Sequence, residues 1–310
     1  MEIIRDKNEQ KHFNKSVLTL GNFDGIHLGH QKIMKRVTEI ASKIGGESVV
    51  YTFKPHPLEV LSPQKSPLLI NSSQEKLRIL EKLGIDVLIF ANFTPSFSEK
   101  SPRSFVEDIL CHQIRVKKIL VGKNYTFGKG GKGDIAYLIQ LGKEFNFGVE
   151  IIEPIKMGTT IISSTKIREF ISNGDVKRAK NFLGREFSLQ GKVITGKLRG
   201  RELGFPTANL AIEKKIYPKE GIYAVRVFHE NTPYSGVVNI GHNPTFGNED
   251  LSIEVHILNF YKDIYDQELK IFFVDRLRDE KKFENPQELA MQIEKDVARA
   301  RDILSKSSIE

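Results

Sequence analysis

Two histidines three residues apart, His27 and His30, lie in the stretch Gly21-Asn22-Phe23-Asp24-Gly25-Ile26-His27-Leu28-Gly29-His30. Paired imidazoles can donate to phosphoryl oxygens and stabilise charge that develops in a transition state. Glycines around them let the backbone come close to a ligand. On spacing alone the stretch also reads as a glycine-rich turn with two surface histidines. A zinc site lacks a second His or Cys pair with ligand spacing, His56 being the one further ligand candidate.

A second stretch, Ile162-Ser163-Ser164-Thr165-Lys166-Ile167-Arg168, brings hydroxyls and cations to the start of a helical pattern. By itself it is an ordinary capped helix with a solvated basic face. Paired with the first stretch it becomes a second phosphate clamp. A third stretch, Gly196 to Asn209, carries three glycines and three basic residues. It lacks the order of a Walker loop. Thr207 and Asn209 are two apart, so in an extended segment they point the same way and can offer two hard oxygens to Mg²⁺. The alternative is a long hairpin loop that turns at Gly204-Phe205-Pro206. In Ser252–Leu258, apolar and polar residues alternate, which puts Glu254 on the same strand face as His256. A carboxylate there can take a hydroxyl proton, or simply face solvent.

The elements around these residues fall into two groups. Up to about residue 184, strands alternate with helices: Val17–Leu20, a helix over 28–44 ending at Gly45-Gly46, Ser48–Phe53, a helix from Ser72 to Leu83 with Glu75 completing a capping box, Asp86–Phe90, a helix from Ser101-Pro102 to Ile114, Lys118–Val121, Asp134–Phe145 and Val149–Ile152. This order predicts an α/β, Rossmann-like parallel sheet with helices on both faces, which binds ligands at the carboxyl ends of its strands. The first stretch lies there, at a helix N-terminus suited to phosphate. After residue 184 short β-rich runs follow (187–194, 222–228, 234–240, 252–258, 269–273), predicting a small antiparallel barrel closed by a helix over 286–304. The expected domains are 1–184 and 185–310.

The chain has 310 residues and a formal charge of +8. Residues 1–184 hold 28 basic and 19 acidic side chains, and residues 185–310 hold 19 and 20, so the surplus lies in the first part. A basic part invites nucleic acid or smaller phosphates. The motif residues are glycines, histidines and hydroxyls at turns rather than a basic stripe with interleaved aromatics, so no nucleic-acid partner is expected. Hydrophobic content of 39% excludes disorder, and no apolar run approaches a membrane span. A single cysteine, Cys111, excludes an intrachain disulfide framework, and its apolar helical context assigns it to packing. With no apolar leader at the N-terminus, a cytoplasmic protein without membrane partners is expected. The sequence is compatible with a homo-oligomer but does not fix one.

These stretches together resemble the bacterial bifunctional riboflavin kinase/FMN adenylyltransferase family, also called FAD synthetases. G-N-F-D-G-I-H-L-G-H and I-S-S-T-K-I-R carry the resemblance in the first part, with Thr52-Phe53-Lys54-Pro55-His56-Pro57 and Val121–Gly128 through Gly133-Asp134. In the second part it rests on G-x-x-x-G-R-x-L-G-x-P-T-A-N-L, Gly221–Ala224 and Asn239-Ile240-Gly241. The resemblance implies a nucleotidyltransferase domain that joins FMN to ATP, releasing pyrophosphate and forming FAD, and a kinase domain that phosphorylates riboflavin with ATP.

It further implies that His27 and His30 bind the triphosphate and stabilise the transition state, within an ATP site of Gly21, Phe23, Asp24, Gly25 and Gly29. Ser163, Ser164, Thr165 and Arg168 would hold the β- and γ-phosphates. Asn124, Pro55 and His56 would meet the flavin. In the kinase part, Gly196, Gly200, Arg201, Gly204, Pro206, Thr207 and Asn209 would bind ATP, with Thr207 and Asn209 on Mg²⁺ and Glu254 as general base. No redox cofactor is implied, since the flavins are substrate and product. Asn259 and Asp266 depart from the family, which often has Asp and Gly there.

Overall fold

The computed structural model describes residues 1–5, 11, 13–196, 200, 203–212, 215–242 and 251–307. Contacts divide the chain into two compact units, Met1–Ser163 and Ser164–Glu310. The division falls some twenty residues before the expected one.

In the first unit, strands β1 (Glu2–Ile4), β2 (Ser16–Leu20), β3 (Glu47–Phe53), β4 (Val87–Ala91), β5 (Val116–Gly122) and β6 (Gly148–Ile152) form one parallel sheet in the order β1-β4-β3-β2-β5-β6. The expected sheet is present, with β1 added at its edge. Successive residues of a strand face opposite sides, and the core shows it. Val17, Val50 and Leu120 pack under helices α1 (Leu28–Ile44) and α3 (Ser73–Lys82). Leu18, Val49, Ile119 and Val121 pack under the segment 105–114 and α6 (Ile135–Phe145). The helix expected over 102–114 is a short α-helical turn (Pro102–Ser104) that widens into a π-helix over Phe105–Gln113. Cys111 is half-buried against this core, and burial, with Glu107 nearby, raises its thiol pKa. That is the environment of a packing residue.

Strand order reverses at β2: β3, β4 and β1 lie to one side, β5 and β6 to the other. The loop leaving β2 therefore emerges at the sheet's switch point, where open α/β sheets hold ligands.

In the second unit, β9 (Phe187–Ile194), β10 (Ala208–Ile212), β11 (Gly221–His229), β12 (Thr232–His242), β13 (Leu251–Ile257) and β14 (Glu268–Arg278) close an antiparallel barrel in the order β10-β13-β12-β11-β14-β9. Leu189, Tyr223, Val225, Val238, Val255, Ile271 and Phe273 are among its fully buried residues. The C-terminal helix, Pro286–Ser305, lays Ala300 and Leu304 over Ile222, Ala224, Val237, Val274 and Leu277. Two helices, α7 (Ser164–Ser172) and α8 (Val176–Leu183), group with this unit because α8 packs on β9 and β14 and the Phe170 and Phe182 rings meet at 5.1 Å. Asn259 and Asp266, the two departures, both have left-handed backbone (φ 56° and 63°). Asn and Asp tolerate that region better than other side chains, and glycine occupies it freely.

Candidate active sites

The loop after β2 is built around its two histidines. His27 is the N-cap of α1, its Nδ1 accepting from the His30 backbone N–H at 3.3 Å. The two rings stack with centroids 3.6 Å apart, and Phe23 meets His30 edge-on at 5.2 Å. A side chain at Gly29 would meet the His27 ring at 3.1 Å, and one at Gly21 would meet the Phe23 ring at the same distance. These are not the surface histidines of the simpler reading, since His27 is 6% exposed and His30 Nδ1 is buried without a hydrogen-bond partner. Burial, then His27 and Lys76, hold His30 well below the ordinary imidazole pKa.

Asp24, 5% exposed, accepts from the N–H groups of Ile70 and Asn71 at 3.0–3.3 Å. Its carboxylate therefore shapes the loop. Gly25, Phe23 and Ile26 all have positive φ. Such values in Phe and in β-branched Ile mark a strained segment of the kind that clusters at functional sites.

His56 leaves β3 at the same sheet edge. It caps helix α2 (Pro57–Leu61) in a capping box with Glu59, and its Nε2 lies 3.1 Å from Asn22 Nδ2. Pro55 precedes it. His56 is thus a cap that links two loops. Among the described residues no group of three His, Cys, Asp or Glu side chains can hold a metal, so the zinc reading has no support there.

Asn124 is exposed in the turn that follows β5, where Tyr125 N–H donates to Gly122 O at 3.1 Å. Around this edge gathers a chain of aromatic rings with no counterpart in the sequence reading: Tyr51, Phe53, Phe93, Phe97, Phe105 and Phe127, with Tyr125 stacked on Phe127. Of these rings Tyr51 and Phe97 also line a cavity of 590 Å³, whose other walls include Ile4, Phe13, Ile89, Ile114 and Arg115. Tyr51, Phe93, Phe105 and Phe127 are buried, and Phe53, Phe97 and Tyr125 are partly so.

Helix α7 begins at Ser164, with Ser163 just before it, both partly buried, and Thr165 exposed. Lys166 pairs with Glu169 at 2.7 Å, as a solvated helix face would. This stretch spans the division between the two units.

In the barrel, Asn209 of β10 stands directly opposite Glu254 of β13, and Asn239 of β12 stands opposite Glu254 on its other side. Residues 253, 255 and 257 are buried while 252, 254 and 256 are only partly so, as the alternation predicts. Ser252 Oγ donates to Glu254 Oε1 at 3.2 Å. His256 Nδ1 donates to Pro206 O at 2.8 Å, tying β13 to the segment that carries Thr207. A side chain on Gly196 would run into the Asn209 amide; one on Gly200 would collide with Phe205 O and reach Thr207 Oγ1 at 3.3 Å. Gly204 has φ 85° with open space around it. Arg201 lies outside the described residues. A cavity of 360 Å³ beside Thr207 is walled by Pro206, Val255, Ile257, Tyr261 and Tyr265.

Residues 9–166 match the family model for FAD synthetase and residues 183–304 that for riboflavin kinase. Relatives described as bifunctional riboflavin kinase/FMN adenylyltransferase include one from Listeria monocytogenes, 38% identical over 94% of this chain and 93% of its own. Another, from Buchnera aphidicola of Acyrthosiphon pisum, is 36% identical over 96% of each. That from Escherichia coli K12 is 34% identical over 92% of each. A crystal structure described as a macrolide-efflux protein from Streptococcus pneumoniae superposes with a TM-score of 0.88 at 32% identity, covering 97% of this chain and 99% of its own. Among the described residues no helix is long and apolar enough to cross a membrane. Both family models, in order and over nearly the whole chain, agree with the parallel-sheet unit and the barrel: the chain belongs to the bifunctional riboflavin kinase/FMN adenylyltransferase family.

Proposed function

We infer that the chain carries out two successive reactions: the barrel phosphorylates riboflavin with ATP to give FMN, and the parallel-sheet unit adenylylates FMN with a second ATP to give FAD and pyrophosphate. ATP is a substrate in both, and no redox cofactor takes part. With a free vitamin and ATP as substrates, the reactions belong in the cytoplasm.

The observation that carries the kinase assignment is the cross-strand row Asn209–Glu254–Asn239. Glu254 takes the proton of the terminal ribityl hydroxyl as its oxygen attacks the γ-phosphorus of ATP, and ADP leaves. Thr207 and Asn209 supply hard neutral oxygens next to that carboxylate, a donor set that suits Mg²⁺ completed by phosphates and water. When bound, Mg²⁺ would neutralise phosphate charge. Gly196 and Gly200 leave room for the Asn209 and Thr207 side chains, and Gly204, Pro206 and Arg201 would complete the ATP site.

In adenylyl transfer, an FMN phosphate oxygen attacks the α-phosphorus of ATP and pyrophosphate departs, so positioning and charge stabilisation are what the protein must provide. His27 and His30, on the helix N-terminus with Gly21, Phe23, Gly25 and Gly29, hold the triphosphate. Ser163, Ser164, Thr165 and Arg168 supply the hydroxyls and guanidinium of a phosphate clamp. Asn124 and Pro55, with the partly exposed rings of Phe53 and Tyr125, take the isoalloxazine.

Separate sites predict separable losses. The test is to supply FMN and ATP, then riboflavin and ATP, to Glu254→Gln and His30→Ala proteins; each should lose one conversion and keep the other. Equal loss of both in either protein would refute the division.

A further inference from the structure

Helix α3 sends one charged side chain toward the loop after β2. Lys76 Nζ donates to the Asn22 carbonyl at 2.7 Å and lies 3.5 Å from Thr52 Oγ1, which itself donates to the same carbonyl at 3.2 Å. From the other direction, the Asp24 carboxylate accepts from Ile70 and Asn71 N–H. The turn Asn22–Asp24 is therefore clasped twice by the segment 70–76. Its anion rests on two backbone donors, and its carbonyl lies under an ammonium. Between these points Phe23 has φ 46°, a backbone that persists only where the surroundings over-determine it. The titratable groups that face Lys76 are Asp24 from the loop and His30 from α1, with His27 stacked behind His30.

Resting on the adenylyltransferase reading of this unit, we propose that Lys76 is a positioning residue for adenylyl transfer: its ammonium fixes the Gly21–His30 loop in the shape that receives the triphosphate, and it supplies the fixed positive charge behind His30. The His30 imidazole does not supply that charge at neutral pH, because burial holds it well below the ordinary imidazole pKa. Burial lowers Lys76 to about 8, against the opposing pull of Asp24. The ammonium is therefore lost in mildly alkaline solution, where a guanidinium would keep its charge.

The test follows FAD formation from FMN and ATP between about pH 6.5 and about pH 9.5 in the full chain, in Lys76→Arg and in Lys76→Met. Thermal unfolding and riboflavin phosphorylation are measured in parallel. The wild type should lose activity above about pH 8. Lys76→Arg should keep FAD formation within roughly 5-fold at neutral pH and lose the alkaline fall. Lys76→Met should lower kcat/KM roughly 10- to 100-fold while leaving riboflavin phosphorylation unchanged. Any of three results overturns the role: a folded Lys76→Met protein that makes FAD at the wild-type rate, an alkaline fall unmoved in Lys76→Arg, or a wild-type profile with no such fall. If Lys76→Met does not fold, the Lys76→Arg profile decides. A wild type that makes no FAD from FMN and ATP at any pH overturns the adenylyltransferase reading itself.

Discussion

Asn209 and Glu254 face each other across the β10–β13 pair. Directly opposite residues of an antiparallel pair bring their Cβ atoms within about 5.5 Å, so an amide oxygen and a carboxylate share one patch of the barrel's outer surface. Strand pairing, rather than loop conformation, sets the Asn209 amide beside the Glu254 carboxylate. Rigid elements hold such geometry better than loops do.

Replacing Glu254 by Gln keeps the shape of that patch and removes the carboxylate proposed as the base. FMN formation should fall by roughly 10²- to 10⁴-fold, while FMN-to-FAD conversion stays at the wild-type rate. Chromatography of the two flavin nucleotides after separate incubations with riboflavin and with FMN checks this.

Gly196→Ala would place a methyl group against the Asn209 amide. The side chain must turn away, so the Mg²⁺ concentration for half-maximal kinase activity should rise by about 10-fold. At Gly204 the space is open and only the left-handed backbone is strained. Gly204→Ala should cost about 1 kcal/mol of stability and leave the Mg²⁺ titration unchanged. Paired Mg²⁺ titrations and melting curves separate the two.

His30 has a depressed pKa in the folded state, caused first by burial, then by His27 and Lys76. Above about pH 7.5 it is neutral both folded and unfolded, and its contribution is constant. Below that, the unfolded chain takes up a proton that the native site refuses. Stability then falls by at most about 1.4 kcal/mol per pH unit until the folded group titrates. His30→Gln should show a smaller drop in unfolding temperature than the wild type between about pH 7.5 and about pH 5.5. Parallel drops would place the titration elsewhere.

Asp266 occupies a left-handed position at φ 63°, and its ion pair with Lys192 is exposed. Surface pairs of this kind contribute little. Asp266→Gly should therefore stay within about 0.5 kcal/mol of the wild type, whereas Asp266→Ala should lose about 1 kcal/mol. Denaturant unfolding measures both, and equal losses would assign the effect to the Lys192 pair.

Long periodic segments were legible from sequence. The helix over 28–44 has the expected ends because Gly45 adopts the left-handed C-cap and His27 the N-cap. The alternation in 252–257 correctly placed Glu254 on the partly exposed face. What escaped depended on neighbours distant in the chain. Strand β1, only three residues long and followed by charged residues, is a strand because β4 offers it an edge. Strand β10 follows a glycine-rich loop and closes the barrel between β9 and β13. No motif in the sequence marks Lys76; its contact with the Asn22 carbonyl, 54 residues away, exists only in the fold. The aromatic rings between Tyr51 and Phe127 come from separate strands, helices and turns, and the fold assembles them.

The most direct test of the whole account gives the purified full chain riboflavin, ATP and Mg²⁺ and follows flavins by chromatography over time. FMN should appear first and then decline as FAD accumulates, with pyrophosphate released in step with FAD. Absence of both FMN and FAD, with riboflavin supplied either oxidised or reduced, would contradict it.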